Sequence, residues 1–208
     1  MTENIYQPAV PQGDPSKPEG EAGKQMLKRM NHSHQALRDW GFPYIDWQPG
    51  MRILDIGCGG GAAIREMLDL SAGSVVSGID YQQTSVDTTS ETNREFLGTR
   101  VDVRQGDAGD LPYDDGTFDL ITAVETVYFW PDLPAALTEM RRVLKPGGMA
   151  VILNDACDPD GVDWPETEVK LTIYRPEELT GFLADAGFRD ITVTIGDDGQ
   201  KIVVKGTR

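Results

Sequence analysis

The residues best suited to chemistry form a glycine-rich segment at positions 57–61, directly after an apolar run and one acid, Asp55. Gly57, Gly59 and Gly61 can adopt positive φ and let a ligand approach bare backbone. A helix that begins there adds free N–H donors. In open α/β sheets, ligands bind at the carboxyl ends of the strands. The segment therefore predicts a ligand-binding turn between a strand and a helix, with an empty tight turn as the alternative.

Three further acids follow other predicted strands. Asp80 lies 23 residues after Gly57, close to the spacing at which a carboxylate binds the hydroxyls of a ribose. Asp107 closes the third strand, where it can accept a hydrogen bond from an adenine amino group beside the small side chain of Ala108. Glu125 follows the fourth strand. Together with Asp55, these acids predict a pocket for a ligand that carries hydroxyls, an amine and positive charge.

Alternating strand and helix patterns position these residues. Strands are predicted at 51–56, 74–79, 100–105, 118–124 and 149–153, and helices at 62–70, 85–97, 133–144 and 176–186. Two short β patterns at 190–195 and 201–205 flank an Asp-Gly turn and should pair antiparallel. The pattern predicts an α/β fold whose mainly parallel sheet gains an antiparallel hairpin at its C-terminal end.

The N-terminal region differs in composition from the rest. Residues 1–20 carry four prolines and few apolar side chains, which predicts a flexible arm. Residues 21–45 show helical spacing of apolar side chains and predict an amphipathic helix that caps the domain, before a stop at Gly41-Phe42-Pro43. The domain proper is expected over residues 46–208.

Charge and composition exclude several classes of protein. Lys and Arg number 19 against 34 Asp and Glu, a net charge of −15, which disfavours nucleic acid and anionic membranes as partners. Two cysteines cannot build a disulfide framework, and we see neither a signal peptide nor a membrane-spanning run. No metal site is expected, because the acidic pairs are typical of turns. A cytoplasmic enzyme or binding domain remains.

A dinucleotide is the competing ligand, because the spacing of Gly57, Gly59 and Ala62 also matches the dinucleotide-binding pattern. Asp55, two residues before the first glycine, would repel a pyrophosphate. The predicted hairpin also replaces the second mononucleotide-binding half. Both features count against a dinucleotide.

Five motifs in order resemble the class I S-adenosylmethionine-dependent methyltransferases, and specifically the small type 11 branch that includes ubiquinone and menaquinone biosynthesis enzymes. They are ILDIGCGGG at 53–61, GID at 78–80, GDAGDLPYDDGTFDLI at 106–121, RVLKPGG at 142–148 and YRPEELTGFLADAGF at 174–188. The resemblance implies a Rossmann-like three-layer α/β/α sandwich. Its seven-stranded sheet would have an antiparallel last strand, and its cofactor would be S-adenosylmethionine.

The resemblance also implies roles for individual residues. The methionine moiety would be held by Asp55, Gly57, Gly59 and Gly61. Asp80 would bind the ribose, with Tyr81 beside the adenine and Asp107 and Ala108 at its edge. Glu125 would face the methionine moiety and the incoming acceptor.

No residue is identified as a catalytic base. Glu125, Tyr128 and His34 are the candidates, and His34 could serve only if the N-terminal helix covers the pocket. We expect the histidines of that helix, His32 and His34, to lie on its exposed surface.

The predicted activity is transfer of a methyl group to a small-molecule acceptor, by in-line displacement at the sulfonium methyl. Two alternatives stay open: a non-catalytic S-adenosylmethionine-binding regulatory module, and an aminopropyltransferase-like enzyme on the same fold. The expected assembly is a monomer or a homodimer.

Overall fold

The computed structural model describes residues 14–161 and 171–208. The strands are β1 (Arg52–Ile56), β2 (Val75–Asp80), β3 (Val101–Gln105), β4 (Phe118–Val124), β5 (Leu144–Asn154), β6 (Arg189–Ile195) and β7 (Ile202–Thr207). The helices are α1 (Gly20–Ser33), α2 (Gln35–Gly41), α3 (Ala62–Leu70), α4 (Gln83–Thr92), α5 (Leu133–Val143) and α6 (Pro176–Asp185). Short 3₁₀ turns cover Phe42–Tyr44 and Val127–Phe129.

The strands form one sheet in the order β3-β2-β1-β4-β5-β7-β6. The pairs from β3 to β5 are parallel, and β7 pairs antiparallel with both β5 and β6. The chain moves outward from β1 in one direction to β3 and then returns to β4 on the other side. The carboxyl ends of β1 and β4 therefore border the crevice where open α/β sheets bind ligands.

Both faces of the sheet are buried, which makes the fold a three-layer sandwich. On β1, Ile53 packs in a cluster with Leu37 of α2 and Ile64 of α3. The next residue, Leu54, points to the opposite face and packs with residues of α5 and α6 such as Leu137. Burial on both faces explains why β1 is buried at four consecutive residues, Ile53 to Ile56, instead of at alternate ones. The predicted fold class is confirmed.

The main departures from the sequence prediction are one broken helix and two boundaries that move by five residues. The N-terminal helix is broken at His34, whose φ of −85° and ψ of 4° separate α1 from α2. β5 begins at Leu144 instead of 149, because the fully buried Leu144 pairs with Phe118 ahead of an irregularity in the ladder. α4 ends at Thr92 instead of 97, where the buried Asn93 donates from its side chain to the Thr89 and Gly61 carbonyls.

The predicted arm falls mainly outside the described residues, which begin at Asp14. Asp14 accepts hydrogen bonds from the backbone and hydroxyl of Ser16, and Pro18 is buried beside α1. Pro18 therefore packs against α1 beside Gly23, immediately after the turn at Asp14. None of the helices within residues 14–161 and 171–208 combines the length and the apolarity needed to cross a bilayer.

Substitution of one helical glycine tests how tightly the cap is docked. A Cβ on Gly41, at the end of α2, would lie 2.4 Å from Cδ1 of Leu153, which is buried in β5. Gly41→Ala should therefore lower the free energy of unfolding by about 1–3 kcal/mol through overpacking. Gly181→Ala, on the exposed side of α6 with open space around its Cβ, should instead stabilise by about 1 kcal/mol. Urea unfolding measures both, and equal effects would contradict close docking of α2.

Candidate functional site

A cavity of about 510 Å³ opens at the carboxyl ends of β1, β2, β3 and β4 and extends beneath α1 and α2. Most of the predicted site residues line it: Asp55, Gly57, Gly59, Asp80, Tyr81, Asp107, Ala108, Glu125 and His34. Gly61 and Tyr128 lie outside its lining and contact residues that do line it. The structure thus brings side chains from four strand ends and the N-terminal helix to one cavity.

The glycine turn presents bare backbone to this cavity. Gly59 has a φ of 52°, and a Cβ built there would meet nothing nearer than Leu27 at 3.8 Å, so a side chain would occupy cavity space. Gly57 is required for another reason: its Cβ would lie 2.0 Å from Oγ1 of Thr126, which follows β4. The turn therefore has no room for side chains on the protein side and leaves space for a ligand on the other.

Side chains of two helices hold the carbonyl groups of this turn. Thr89 donates to the Gly59 carbonyl at 2.9 Å, and Thr92 donates to the Gly60 carbonyl at 2.8 Å, both from α4. Asn31 of α1 donates to the same Gly60 carbonyl at 2.8 Å. These bonds draw the carbonyls towards the helices and fix the shape of the turn.

Asp80 is fixed at the rim by backbone donors. Its carboxylate accepts the N–H of Gly59 at 3.0 Å and the N–H of Gln82 at 3.0 Å. Burial raises its pKa. Each carboxylate oxygen accepts one of these bonds and keeps lone-pair capacity for a further donor. This is the chemistry needed to accept hydroxyl groups of a ligand.

The part of the cavity rim formed by Tyr81, Asp107 and Ala108 is more open than the part at Asp80. Tyr81 is 63% exposed, so its ring is a surface group. Asp107 accepts the N–H of Gly109 at 2.8 Å in a local turn, and Ala108 lies next to it in the cavity wall.

Asp55 is a buried acid at the base of the cavity, with 2% of its surface exposed. The Thr122 hydroxyl of β4 donates to its carboxylate at 2.7 Å. Burial raises the pKa of Asp55 to about 7, against the opposing effects of the Thr122 bond and the Arg38 charge. A buried carboxyl of this kind is stabilised in its ionised form by a cationic ligand.

Glu125 follows β4 with a φ of 57°, which is uncommon for a residue with a side chain. The backbone N–H of Asp155 donates to Oε1, and the hydroxyl of Tyr128 lies 3.1 Å from the same oxygen. Burial raises the pKa of Glu125 to about 8. The Tyr128 oxygen also accepts the Ala156 N–H at 3.0 Å, so Tyr128 supports Glu125 from behind.

The expectation that His34 lies on the exposed helix surface was wrong. Its side chain is 25% exposed and lines the cavity, with Nε2 3.8 Å from Oε2 of Glu125. Burial, and then the charge of Arg38, lower its pKa to about 4. His32 is exposed, as expected. The break between α1 and α2 decides where His34 points, and no sequence pattern marked it.

Sequence reasoning missed two other polar residues of the N-terminal helices. Arg38 is 4% exposed, lines the cavity and pairs with Glu66 of α3 at 2.9 Å. It also donates to the backbone carbonyl of Asn31 at 2.9 Å. In one continuous helix, Asn31, His34 and Arg38 would fall at positions i, i+3 and i+7 and share a face. That spacing of polar residues among buried apolar ones was the signal available in the sequence.

The sheet order, the glycine turn after β1 and the acids after β1, β2 and β3 define the class I, Rossmann-like methyltransferase fold. Residues 54–152 match the methyltransferase domain family Methyltransf_11. Over residues 54–152 the chain is thus similar to this methyltransferase family, as the sequence resemblance predicts. S-adenosylmethionine, the expected cofactor, is the methyl donor of this family.

Individual relatives agree with this assignment. The chain is 31% identical to sterol 24-C-methyltransferase ERG6B of Gibberella zeae over 74% of its own length and 39% of the relative's. It is 35% identical to nocamycin O-methyltransferase of Saccharothrix syringae, over 58% of this chain and 43% of that one. A crystal structure of a SAM dependent methyltransferase from Aquifex aeolicus superposes with a TM-score of 0.72 at 22% identity. The superposition covers 88% of this chain and 97% of that one. The chain thus spans less than half the length of these two curated relatives.

The buried Asp55 predicts a characteristic pH dependence of stability. Its pKa is raised from 3.8 to about 7, so the folded state keeps a proton that the unfolded state loses above pH 4. The stabilising contribution is complete below pH 4 and is lost as the pH rises to 7. Between pH 5 and 7, the wild type should lose about 2 kcal/mol relative to Asp55→Asn, measured by urea unfolding. Asp69→Asn, on the exposed side of α3, should follow the wild type; parallel curves for Asp55→Asn and wild type would contradict the raised pKa.

Proposed function

We propose that the protein transfers a methyl group from S-adenosylmethionine to a small-molecule acceptor. The observation that carries the proposal is the cavity itself, in which Asp55, Asp80 and Glu125 surround the bare backbone of Gly59. Asp55 is buried and Glu125 largely so, and within the described residues neither has a cation in hydrogen-bonding contact. Such a site favours a positively charged ligand with hydroxyl groups, which are the features of S-adenosylmethionine.

The lining residues fit this cofactor part by part. Asp80 would accept the ribose hydroxyls, since its oxygens are already held at the rim by backbone donors. Asp107 and Ala108 would meet the adenine edge, and Tyr81 has an exposed ring that can close on its face. The methionine moiety would lie over the turn at Gly57 and Gly59 beside Asp55 and Glu125. Gly61 would support the turn from behind, through the bond of its carbonyl to Asn93.

When bound, the cofactor supplies a sulfonium methyl that is already electrophilic. The protein therefore needs to align the acceptor in line with the methyl group and to exclude water. Phe129, Trp130 and Met30 line the same cavity and form apolar walls beside Glu125. The Trp130 ring is held by its Nε1–H, which donates to the Thr126 hydroxyl at 3.2 Å. Since one cavity of about 510 Å³ must hold cofactor and acceptor together, the acceptor is a small organic molecule.

We also propose the division into an arm (1–20), a capping helical region (21–45) and a catalytic domain (46–208). The supporting contacts are the bond from Asn31 to the glycine turn and the cavity positions of Pro15 and Pro18. Cytoplasmic location and a monomeric or homodimeric state belong to the same proposal. Both cysteines, Cys58 and Cys157, are buried free thiols, which supports a reducing compartment.

Calorimetry on the purified protein tests the binding step. S-adenosylmethionine and its demethylated product should both bind, and Asp80→Ala should weaken both by about 10–100-fold, since charge-assisted hydrogen bonds are lost. Asp87→Ala, on the exposed face of α4, should leave both affinities unchanged. Binding of NADH in place of either compound would contradict the proposal.

Methyl transfer is measured separately, with radiolabelled cofactor and a panel of small organic acceptors. Transfer to any acceptor supports the enzyme. Binding without transfer across the panel would favour the non-catalytic regulatory module instead.

Protection from proteolysis tests the role of the cap. If α1 and α2 close over the cofactor, S-adenosylmethionine should slow tryptic cleavage within residues 24–38 by several fold, as followed by mass spectrometry. Asn31→Ala should reduce that protection, because its bonds to the Gly60 carbonyl and the Ala62 N–H are lost. Cleavage that is indifferent to the cofactor would contradict closure.

A further inference from the structure

His34 and Glu125 face each other in the cavity, and they come from different parts of the chain. His34 lies at the break between α1 and α2, and Glu125 lies just after β4. Nε2 and Oε2 are 3.8 Å apart, and both residues line the cavity. This separation is longer than a hydrogen bond, but catalytic contacts in ligand-free structures often tighten only when substrate binds.

Glu125 is held rigidly in a costly conformation. Its φ of 57° is unfavourable for a residue with a side chain, and such strain concentrates at functional sites. Two donors, the Asp155 N–H and the Tyr128 hydroxyl, contact Oε1. Oε2 is the oxygen that faces His34. The arrangement therefore anchors one oxygen in the protein and directs the other at the imidazole.

The imidazole is neutral at pH 7, because burial lowers its pKa to about 4. The charged and titratable groups around the pair are Arg38 on α2, Asp155 and Tyr128 beside Glu125, and Asp55 across the cavity. Arg38 pairs with Glu66, and burial holds His34 neutral at pH 7. If Nε2–H donates to an ionised Glu125, Nδ1 keeps its lone pair and can accept a proton.

We propose that His34, oriented by Glu125, accepts the proton of an acceptor hydroxyl during methyl transfer, so that the acceptors are small neutral molecules that carry a hydroxyl group. This inference rests on the proposed methyltransferase function. In the step, the acceptor oxygen forms a bond to the methyl carbon while the bond from that carbon to sulfur breaks. The electron pair of the broken bond stays on sulfur, which becomes a neutral thioether, and the hydroxyl proton moves to His34. Glu125 stabilises the imidazolium that results, as a positioning residue.

Other nucleophiles fit the pair less well. A basic amine is protonated at pH 7 and has no lone pair for the methyl carbon, and a thiol ionises readily without a dedicated base. An anionic acceptor would meet Lys17 and Arg38 as the cations in the described lining, of which Arg38 is already paired with Glu66. A neutral hydroxyl provides the hydrogen-bond donor that a neutral imidazole can align before reaction.

The test compares two histidines of the same helical region. His34→Gln and His32→Gln are assayed for S-adenosylmethionine binding by calorimetry and for transfer of radiolabelled methyl to hydroxyl probes, namely phenol, catechol, 2-naphthol and cyclohexanol. Thiophenol is the matched probe that needs no base. His34→Gln should bind the cofactor as the wild type does and lower kcat for the hydroxyl probes by about 10²–10⁴-fold. It should affect thiophenol far less, and His32→Gln should match the wild type with every probe.

A pH profile tests Glu125 as the positioning residue. In the wild type, kcat for the hydroxyl probes should rise with pH as Glu125, with its pKa of about 8, loses its proton. In Glu125→Gln the plateau should fall and the acid limb should move to lower pH, because His34 alone then titrates. A lower plateau with an unmoved acid limb would overturn the pairing.

The outcomes separate this inference from the proposed function. Equal hydroxyl activity in His34→Gln and His32→Gln overturns the role of His34. Normal cofactor binding with transfer to thiophenol alone, or to no hydroxyl probe, overturns the acceptor class and leaves S-adenosylmethionine binding intact. Loss of cofactor binding in the wild type would instead refute the proposed function itself.

Discussion

The burial of acidic side chains at the carboxyl ends of β1 and β4 is the constraint around which the site is organised. An ionised carboxylate is costly to bury, and Asp55 has a neutral hydroxyl, that of Thr122, as its hydrogen-bond partner. Glu125 is held in the same way by one backbone N–H and one phenol. The cavity therefore has a preference for positive charge before any ligand arrives. The same burial accounts for the raised pKa of both groups.

The glycine turn and the N-terminal helices depend on each other. Asn31 of α1 and Thr92 of α4 meet at the Gly60 carbonyl, so the turn is held between a capping helix and a helix of the sandwich. Arg38 extends the connection to α3 through Glu66. The cap is therefore a structural part of the site, and it supplies the histidine that faces Glu125. Without α1 and α2 the cavity would lose one of its walls.

The sequence was most informative for elements in which buried residues recur at the regular spacing of a strand or a helix. The glycine turn, the four acids and the order of strands and helices could be read directly, because the central strands β1, β2 and β4 are mainly buried and are followed by distinctive residues. It was less informative where an element is interrupted or extended. The five residues before Met149 contain Pro146 and two glycines, so no local pattern announced that β5 begins at Leu144. That boundary depends on the pairing of Leu144 with Phe118, which lies 26 residues away in the chain.

The sequence by itself determined the class of fold, the family motifs and the identity of the acids at the strand ends, because these properties depend on neighbouring residues along the chain. Only the tertiary structure decided which residues of the N-terminal helices face the cavity. His34, Arg38 and Asn31 are polar residues that a helix would ordinarily expose. They line the cavity here because the helix breaks at His34 and both halves dock over the glycine turn. The facing of His34 and Glu125, 91 positions apart, exists only in the folded chain.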